Sequence, residues 1–412
     1  MGDRTGRFRA DRAVLPRQST TGPDMQLEPI FHPPGEAEIN GRLARVQARM
    51  AAEGLDRYVA FCPHNIYYLT HFANAVHERP FVLVVPQRGR PQFVVPQLEI
   101  PHVRSRAIGD VELVPYFEFP APAGRAWSDR FKELFGENER VGVESICPLQ
   151  VYAEIPGERV RTDIVDDVRM IKSDYEIGRH VYACAVATDA HNLLLASARP
   201  GLSMAEISGK TRAFVMERLV RDNPAINPYA TRVTVVFQPA GVSHDPHNFS
   251  NLDMRMEEGG PHVSIVNAEM NGYGAEVERT FFIGRVPDAA RKPFEIMMEG
   301  RRIAFETAKP GELMSEVDRR VNDHFRRAGM GDRLLHRTGH GMGVTGHEAP
   351  FFADGYERPI EKGMCLTIEP GVYLEGIGGF RHSDTVLIGD NGPVMLTGGP
   401  VDIDALTLPM QS

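Results

Sequence analysis

Three histidines fall within twelve residues of one another, at His336, His340 and His347, and four glycines lie among them. The histidine side chain titrates near neutral pH, and its neutral ring is a common metal ligand. Glycine allows a backbone to approach a bound ligand closely. This segment therefore predicts a site for acid–base catalysis or for metal binding.

Carboxylates supply a second signal. Glu276 and Glu278 alternate along a β-rich run, which places both side chains on one face of a strand. Two like charges on one face repel each other unless a cation, a metal ion or a proton lies between them. Glu369 stands in an apolar run, where a carboxylate is costly to bury without a partner. His247 lies in a turn-forming segment and could add a further acid–base group.

The elements around these residues follow from local patterns. Ser173 and Glu176 form a capping box, which predicts the start of a long helix that ends near Ser197. A second helix, β-rich runs, two further helices and more β-rich runs follow, so the sequence predicts a duplicated α+β domain with a cleft between its halves. The segment from Glu36 to about Asp167 combines a helical pattern with short β-rich runs and predicts a small α/β domain.

Composition excludes several classes of protein. The chain has 412 residues and a formal net charge of −9, which disfavours a general nucleic-acid-binding protein. It contains no apolar run of membrane-spanning length, so no contact with a membrane is expected. The four cysteines are far apart and form no CxxC pair, which favours reduced thiols and a cytoplasmic location. Residues 1–35 are rich in Arg, Pro and Gly and predict a flexible extension.

Two motifs carry a family resemblance, His336-Arg337-Thr338-Gly339-His340-Gly341 and Thr367-Ile368-Glu369-Pro370-Gly371. With them the chain resembles the peptidase M24 superfamily of creatinases, prolidases and methionine aminopeptidases, which has the pita-bread fold. Asn65-Ile66-Tyr67-Tyr68-Leu69-Thr70 is similar to the smaller creatinase-type domain of prolidases and aminopeptidase P. The resemblance implies an α+β protein, with a small α/β creatinase-type domain at residues 36–167 and a pita-bread catalytic domain at residues 168–405.

The resemblance also shows where this chain departs from the peptidases, which hold two metal ions with Asp, Asp, His, Glu and Glu. In the alignment that it implies, the five positions fall at Ile265, Glu276, His340, Glu369 and Ser383. The side chains of Ile265 and Ser383 cannot replace carboxylates that bind hard cations. A dinuclear site is therefore not expected, whereas one divalent metal ion held by Glu276, His340 and Glu369 stays possible.

The preferred hypothesis is a metal-independent hydrolase of the creatinase type, which cleaves a C–N bond of a small polar substrate without a cofactor. The matching creatinase strand also ends in Glu-Arg-Thr, and His247 matches the place of the creatinase catalytic histidine. The residues assigned to catalysis are His247, Glu278, Glu369 and His340. Those assigned to substrate binding are Glu276, His347, Arg381, Arg79 and His336.

Other possibilities stay open. The resemblance implies a homodimer, in which Arg79 could cross the interface and bind a substrate carboxylate. A histidine base and carboxylates could equally run a lyase reaction, such as a retro-aldol C–C cleavage that consumes no water. A mononuclear metal-dependent Xaa-Pro peptidase would use Glu276, His340 and Glu369 as its ligands. A pita-bread domain that has lost catalysis could bind partners instead.

Overall fold

The computed structural model describes residues 27–223, 225–249 and 251–410. Helices and strands form two domains, each built around one large sheet, so the predicted α+β class is confirmed. The first 26 residues of the predicted flexible extension lie outside the described residues. None of the described helices is long and apolar enough to cross a membrane.

The N-terminal domain packs helices on both faces of a mixed sheet. Its strands are β1 (Arg57–Ala60), β2 (Val82–Pro86), β3 (Gln92–Pro96), β4 (Glu112–Tyr116), β5 (Arg140–Val143) and β6 (Glu158–Arg161). Its helices are α1 (Glu36–Glu53), α2 (Pro63–Thr70), α3 (Ile100–Arg106), α4 (Trp127–Lys132), α5 (Leu149–Glu154) and α6 (Ile164–Arg169). The strand order is β4-β3-β2-β1-β5-β6, and separate apolar clusters cover the two faces of the sheet.

The C-terminal domain surrounds a larger sheet with long helices. The helices are α7 (Asp174–Ser197), α8 (Met204–Asp222), α9 (Asp288–Thr307) and α10 (Met314–Arg327). The strands are β7 (Arg232–Gln238), β8 (Gly259–Glu269), β9 (Gly274–Ile283), β10 (Gly339–Gly341), β11 (Glu348–Phe352), β12 (Cys365–Ile368), β13 (Gly371–Leu374), β14 (Gly378–Arg381), β15 (Ser383–Gly389), β16 (Gly392–Met395) and β17 (Thr407–Leu408). The main sheet runs in the order β11-β10-β12-β15-β9-β8-β7, and β13 pairs with β14 beside it.

Strand β9 carries Glu276 and Glu278, and all ten of its residues are buried. Ala275, Val277 and Phe281 belong to the apolar core, against which helix α7 packs. Because side chains alternate along a strand, Glu276 and Glu278 project from the opposite face. Two carboxylates are thereby buried side by side.

Residues 27–35, the described part of the predicted extension, pack against α7. The Ile30 N–H donates a hydrogen bond to the Gly178 carbonyl at 2.9 Å, and a Cβ at Gly178 would lie 2.6 Å from the Ile30 side chain. Arg179 donates to the Phe31 carbonyl at 3.1 Å. A sequence pattern does not reveal such contacts, because they join segments that are far apart along the chain.

The turn between β8 and β9 is held by the N-terminal domain. The Tyr67 hydroxyl donates to the Asn271 carbonyl at 2.8 Å, and Arg42 donates to the Tyr273 hydroxyl at 2.8 Å. Gly272 lies between these two contacts with a φ of +84°, and a Cβ there would lie 2.1 Å from Cε1 of Tyr67. The N-terminal domain therefore helps to fix the turn that joins the two strands.

We expect Gly272→Ala to lower the free energy of unfolding by about 3 kcal/mol, because the added methyl group overlaps Tyr67 and alanine is strained at this backbone angle. Gly201→Ala is the matched control, since Gly201 has a φ of +80° but no atom lies within 4 Å of its Cβ position. The control should lose only about 1 kcal/mol. Urea unfolding followed by circular dichroism measures both values, and equal losses would contradict a role for the contact with Tyr67.

Candidate active site

Three strands of the C-terminal sheet bring two carboxylates and an imidazole together. Glu276 lies on β9, His340 lies on β10, and Glu369 directly follows β12. Their ligand atoms all lie within 4.8 Å of one another, and all three side chains are buried. We call Glu276, His340 and Glu369 the three-donor cluster.

Glu276 is oriented by two neutral donors. The Ser383 hydroxyl donates to its Oε1 atom and the Asn267 amide donates to its Oε2 atom, each at 2.7 Å. Ser383 on β15 and Ile265 on β8 both lie directly opposite Glu278, so their side chains share the face of the sheet that carries the glutamates. The two positions where the resemblance implies a carboxylate are therefore at the site, and neither has one.

His340 presents one ring nitrogen to the cluster. Burial lowers its pKa, so the ring is neutral near pH 7. Nδ1 lies 3.1 Å from the Gly341 carbonyl, which can only accept, so we place the ring proton on Nδ1. Nε2 is then an acceptor, and it lies 3.3 Å from Oε1 of Glu369. Two acceptors this close require a proton or a metal ion between them.

In the described part of the chain, the Glu369 carboxylate receives no short hydrogen bond from a side-chain donor. Burial raises its pKa to about 8 and the nearby Glu276 adds to the rise, whereas the Arg381 and Arg337 guanidinium groups oppose it. The Thr367 hydroxyl lies 3.4 Å from Oε1, which is a long hydrogen bond. The two carboxylates of the cluster are therefore short of positive charge, and a bound cation would supply it.

A series of hydrogen-bonded polar side chains lies beside the cluster, and we call it the second polar chain. Its members are Glu278, Arg381, Tyr373 and His336. Arg381 forms a two-pronged ion pair with Glu278: its Nη2 donates to Oε1 at 3.0 Å and its Nε contacts Oε2. Arg381 Nη1 donates to the Tyr373 hydroxyl at 3.3 Å, and that hydroxyl lies 2.7 Å from Nε2 of His336. The sequence assigns Glu278 to catalysis and Arg381 to substrate binding, whereas in the structure each is the other's partner.

Three histidines lie around the cluster. His347 stacks on His340 with 3.8 Å between the ring centroids, and burial lowers its pKa to about 4. Burial also lowers the pKa of His336 to about 3. His247 is exposed on the loop between β7 and β8, and its charge contributes to the lowered pKa of both His336 and His347. The loop therefore brings His247 to the same region.

Arg79 is the predicted site residue that the structure leaves apart from the cluster. It lies in the N-terminal domain, where it forms ion pairs with Glu78 and Glu118, each at 2.6 Å. Within the described residues its ion pairs are with these two glutamates. Its role across a dimer interface stays a prediction.

Sequence reasoning missed two residues of the site, Tyr373 and Asn267. Tyr373 follows Glu369 by only four residues, but the pairing of β13 with β14 is what brings it to the second polar chain. Asn267 lies opposite Glu276 in the β8–β9 pair. The sequence could have indicated Asn267, because it lies two residues after Ile265 and side chains two apart share one face of a strand.

The three-donor cluster fits one divalent metal ion. Two carboxylates and one imidazole nitrogen are ligands that zinc and other first-row metals accept, and three protein ligands leave positions open for water or substrate. A second ion would need carboxylates at Ile265 and Ser383, and neither side chain offers one. The donor set therefore supports one ion and not two.

Comparisons with known proteins identify relatives of both domains. Residues 179–390 match the metallopeptidase family M24, and residues 42–171 match the creatinase/prolidase N-terminal domain. The Xaa-Pro dipeptidase of Pyrococcus furiosus is 27% identical over 86% of this chain and 97% of its own length. The probable dipeptidase PepE of Mycobacterium tuberculosis is 27% identical over 89% of this chain and 97% of its own length.

Solved structures share the fold. The prolidase of Pyrococcus furiosus superposes with a TM-score of 0.72 at 26% identity, covering 86% of this chain and 99% of that chain. The N-terminal domain of FACT complex subunit SPT16 from chickpea also reaches a TM-score of 0.72, at 14% identity over 90% of this chain and 99% of that chain. The predicted creatinase-type domain followed by a pita-bread domain is therefore confirmed, although the fold alone does not fix the activity.

The comparisons correct the functional prediction. Relatives over most of the chain are named Xaa-Pro dipeptidases and the matching family is one of metallopeptidases, so the hypothesis of a metal-independent creatinase-type enzyme is wrong. The lyase alternative conflicts with the same relatives, and the expectation of no cofactor finds no support. The error lies in treating two lost ligands as the loss of metal binding, when three donors still converge. The broader prediction of a hydrolase is confirmed.

We expect Glu278→Gln to lower the free energy of unfolding by about 3 kcal/mol, because it leaves the buried Arg381 guanidinium without its charged partner. Glu299→Gln is the matched control, since it breaks an exposed ion pair with Arg302 and should cost less than about 1 kcal/mol. Chemical denaturation of the two variants measures the difference. A loss below about 1 kcal/mol in Glu278→Gln would show that Arg381 does not depend on Glu278.

Proposed function

Because the chain belongs to the metallopeptidase family M24, we propose that it is a metal-dependent dipeptidase that hydrolyses the peptide bond of an Xaa-Pro dipeptide. A single divalent ion would be held by Glu276, His340 and Glu369. The observation that carries the proposal is the convergence of these donors within 4.8 Å, with Oε1 of Glu369 only 3.3 Å from Nε2 of His340.

A divalent ion bound there would polarise the scissile carbonyl group and lower the pKa of a bound water molecule. The surrounding residues orient the ligands. Nδ1 of His340 donates to the Gly341 carbonyl, which keeps Nε2 directed at the cluster. Ser383 and Asn267 each hold one carboxylate oxygen of Glu276, which fixes the orientation of that side chain.

The histidines around the cluster would handle protons during the reaction. We assign to His247 the transfer of a proton to the leaving amine nitrogen, because its exposed position allows exchange with solvent. His347 has a lowered pKa and is neutral near pH 7, so its ring can donate a hydrogen bond to a bound carbonyl without adding charge. The ion pair between Arg381 and Glu278 keeps a further buried carboxylate neutralised beside the reacting groups.

The proposed substrate is a dipeptide and therefore a small molecule. We keep the homodimer and the cytoplasmic location as proposals that follow from the resemblance and from the cysteine pattern, and we propose no nucleic-acid partner. Light scattering coupled to size exclusion tests the dimer, since a mass near that of one chain would contradict it.

We expect the purified protein to bind about one Mn²⁺, Co²⁺ or Zn²⁺ ion per chain and to release proline from alanyl-proline only when the metal is present. His340→Ala should lose both properties, because one of three ligands is removed. His102→Ala, which changes a partly exposed histidine of the N-terminal domain, is the matched control and should keep both. Metal content is measured by mass spectrometry after dialysis. Full activity in the presence of a strong chelator would disprove the proposal.

We expect the double variant Ile265→Asp, Ser383→Glu to raise the bound metal from about one to about two ions per chain, because it returns carboxylates to the two positions that lack them. Ser383→Ala serves as the control and should not increase the metal content. Competition with a metal-binding dye gives the stoichiometry of each folded variant. A folded double variant that still binds one ion would show that the missing carboxylates are not what limits the site.

A further inference from the structure

Residues 342–347 connect β10 to β11, and we call them the β10–β11 loop. The loop begins two residues after His340 and ends with His347, whose ring stacks on the His340 ring with 3.8 Å between the centroids. Its backbone also contacts β9, since the Gly274 N–H donates to the Gly343 carbonyl at 2.8 Å. The position of this loop therefore affects the orientation of His340, one of the three donors of the cluster.

The Glu348 side chain, which directly follows the loop in sequence, turns back onto the backbone of the loop. A Cβ at Gly343 would lie 1.9 Å from Oε1 of Glu348, so this carboxylate fills the space that a side chain at Gly343 would need. The φ of Gly343 lies outside the left-handed region, so space and not the backbone angle requires glycine here. The loop therefore packs directly on the carboxylate, and a shift of one requires a shift of the other.

Two buried cations hold that carboxylate in place. Arg169 Nη2 donates to Oε2 of Glu348 at 2.9 Å, and Lys172 Nζ donates to Oε1 at 3.0 Å. The three side chains are 5% exposed or less, and we call them the buried ion triad. Burial acts to raise the pKa of Glu348, but the charges of Arg169 and Lys172 outweigh burial and lower the pKa, so the carboxylate is ionised near pH 7. The carboxylate cannot leave Gly343 without breaking these two ion pairs.

Both cations come from the N-terminal domain or from the segment that joins the two domains. Arg169 ends α6, where it also donates to the Asn65 amide oxygen, and Lys172 lies between α6 and α7. The loop meets the same domain through Val344, which is buried in one apolar cluster with Tyr67 of α2. A buried ion triad adds little net stability, because desolvation of the charges offsets their attraction, whereas its hydrogen bonds fix the groups that they join. The triad therefore suits positioning better than stabilisation.

We propose that Glu348 is a positioning residue, through which the N-terminal domain holds the β10–β11 loop and thereby the stacked rings of His340 and His347. The inference rests on the proposed function and adds that a contact between the domains sets the affinity for the metal ion. Residues outside the ligand set that orient a ligand change metal affinity by about 10- to 100-fold. We expect an effect of this size when the loop is separated from the Glu348 carboxylate.

Competition with a metal-binding dye gives the Mn²⁺ dissociation constant of wild type, Gly343→Ala, Glu348→Asp and the double variant. We expect Gly343→Ala to raise Kd by about 10- to 100-fold, because its methyl group overlaps a carboxylate that the buried ion triad holds in place. Glu348→Asp should also weaken binding, because its shorter side chain no longer supports the loop. In the double variant the shorter side chain leaves room for the methyl group, so Kd should return to within about fivefold of wild type. Two losses that simply multiply in the double variant would overturn the inference, as would a Kd within about threefold of wild type in Gly343→Ala.

Val84→Ala is the matched control for a general loss of stability. Val84 is fully buried in β2, in an apolar cluster whose members all belong to the N-terminal domain, so its truncation leaves a cavity away from the loop. The Mn²⁺ dissociation constant of this variant should stay within about threefold of wild type. An equal rise of Kd in Val84→Ala and in Gly343→Ala would assign the effect to stability and overturn the inference.

Amide hydrogen exchange followed by mass spectrometry keeps the two proposals separate, because it needs neither metal nor turnover. We expect peptides that cover the β10–β11 loop to exchange about tenfold faster in Gly343→Ala and near the wild-type rate in the double variant. A wild type that binds no Mn²⁺ or releases no proline would overturn the proposed function only, and the exchange rates would then decide the inference. Unchanged exchange in Gly343→Ala, or faster exchange with an unchanged Kd, would overturn the inference and leave the dipeptidase proposal standing.

Discussion

The site depends on the burial of two carboxylates on one face of β9. Burying such a charge without a partner is costly, so each glutamate has to be compensated within the protein or by a ligand. Glu278 is compensated by Arg381, through a two-pronged ion pair. Among the described residues, the side-chain donors to Glu276 are the neutral groups of Ser383 and Asn267, which orient it but bring no positive charge. A cation is therefore needed beside Glu276 and not beside Glu278. In the proposed site, His340 and Glu369 would be the other two ligands of that cation.

This division of charge accounts for the departure from the peptidase pattern. The resemblance implies two metal ions in peptidases of this superfamily, whereas here one of the implied ligand positions is Ile265 and another is Ser383. Both residues lie directly opposite Glu278, whose counter-ion is the guanidinium group of Arg381. A side chain of the protein thus balances the charge in the half of the pocket that cannot hold a second ion. The proposed mononuclear centre is consistent with this arrangement and does not require a new fold.

Local patterns predict much of this protein. The capping box at the start of α7 is formed, with the Ser173 hydroxyl accepting from the Glu176 N–H at 3.2 Å, and the strand face shared by Glu276 and Glu278 follows from alternation alone. The partner of each charge could not be predicted, because partners are set by strand pairing over long distances. Glu278 meets an arginine 103 residues away in sequence. The resemblance names Glu276, His340 and Glu369 as a possible donor set, but their convergence within 4.8 Å depends on the same long-range strand pairing.

The turn at Asn271 and Gly272 ties the two domains together in a way that bears on their evolution. Tyr67 and Arg42 both contact this turn, so a domain that contributes no residue to the three-donor cluster still helps to position the hairpin that carries Glu276. If one domain were exchanged for that of a relative, the turn would be separated from the Tyr67 and Arg42 side chains that contact it. A chimaera that combines domains from two relatives would therefore keep this geometry only if the tyrosine, the arginine and the turn came from the same parent.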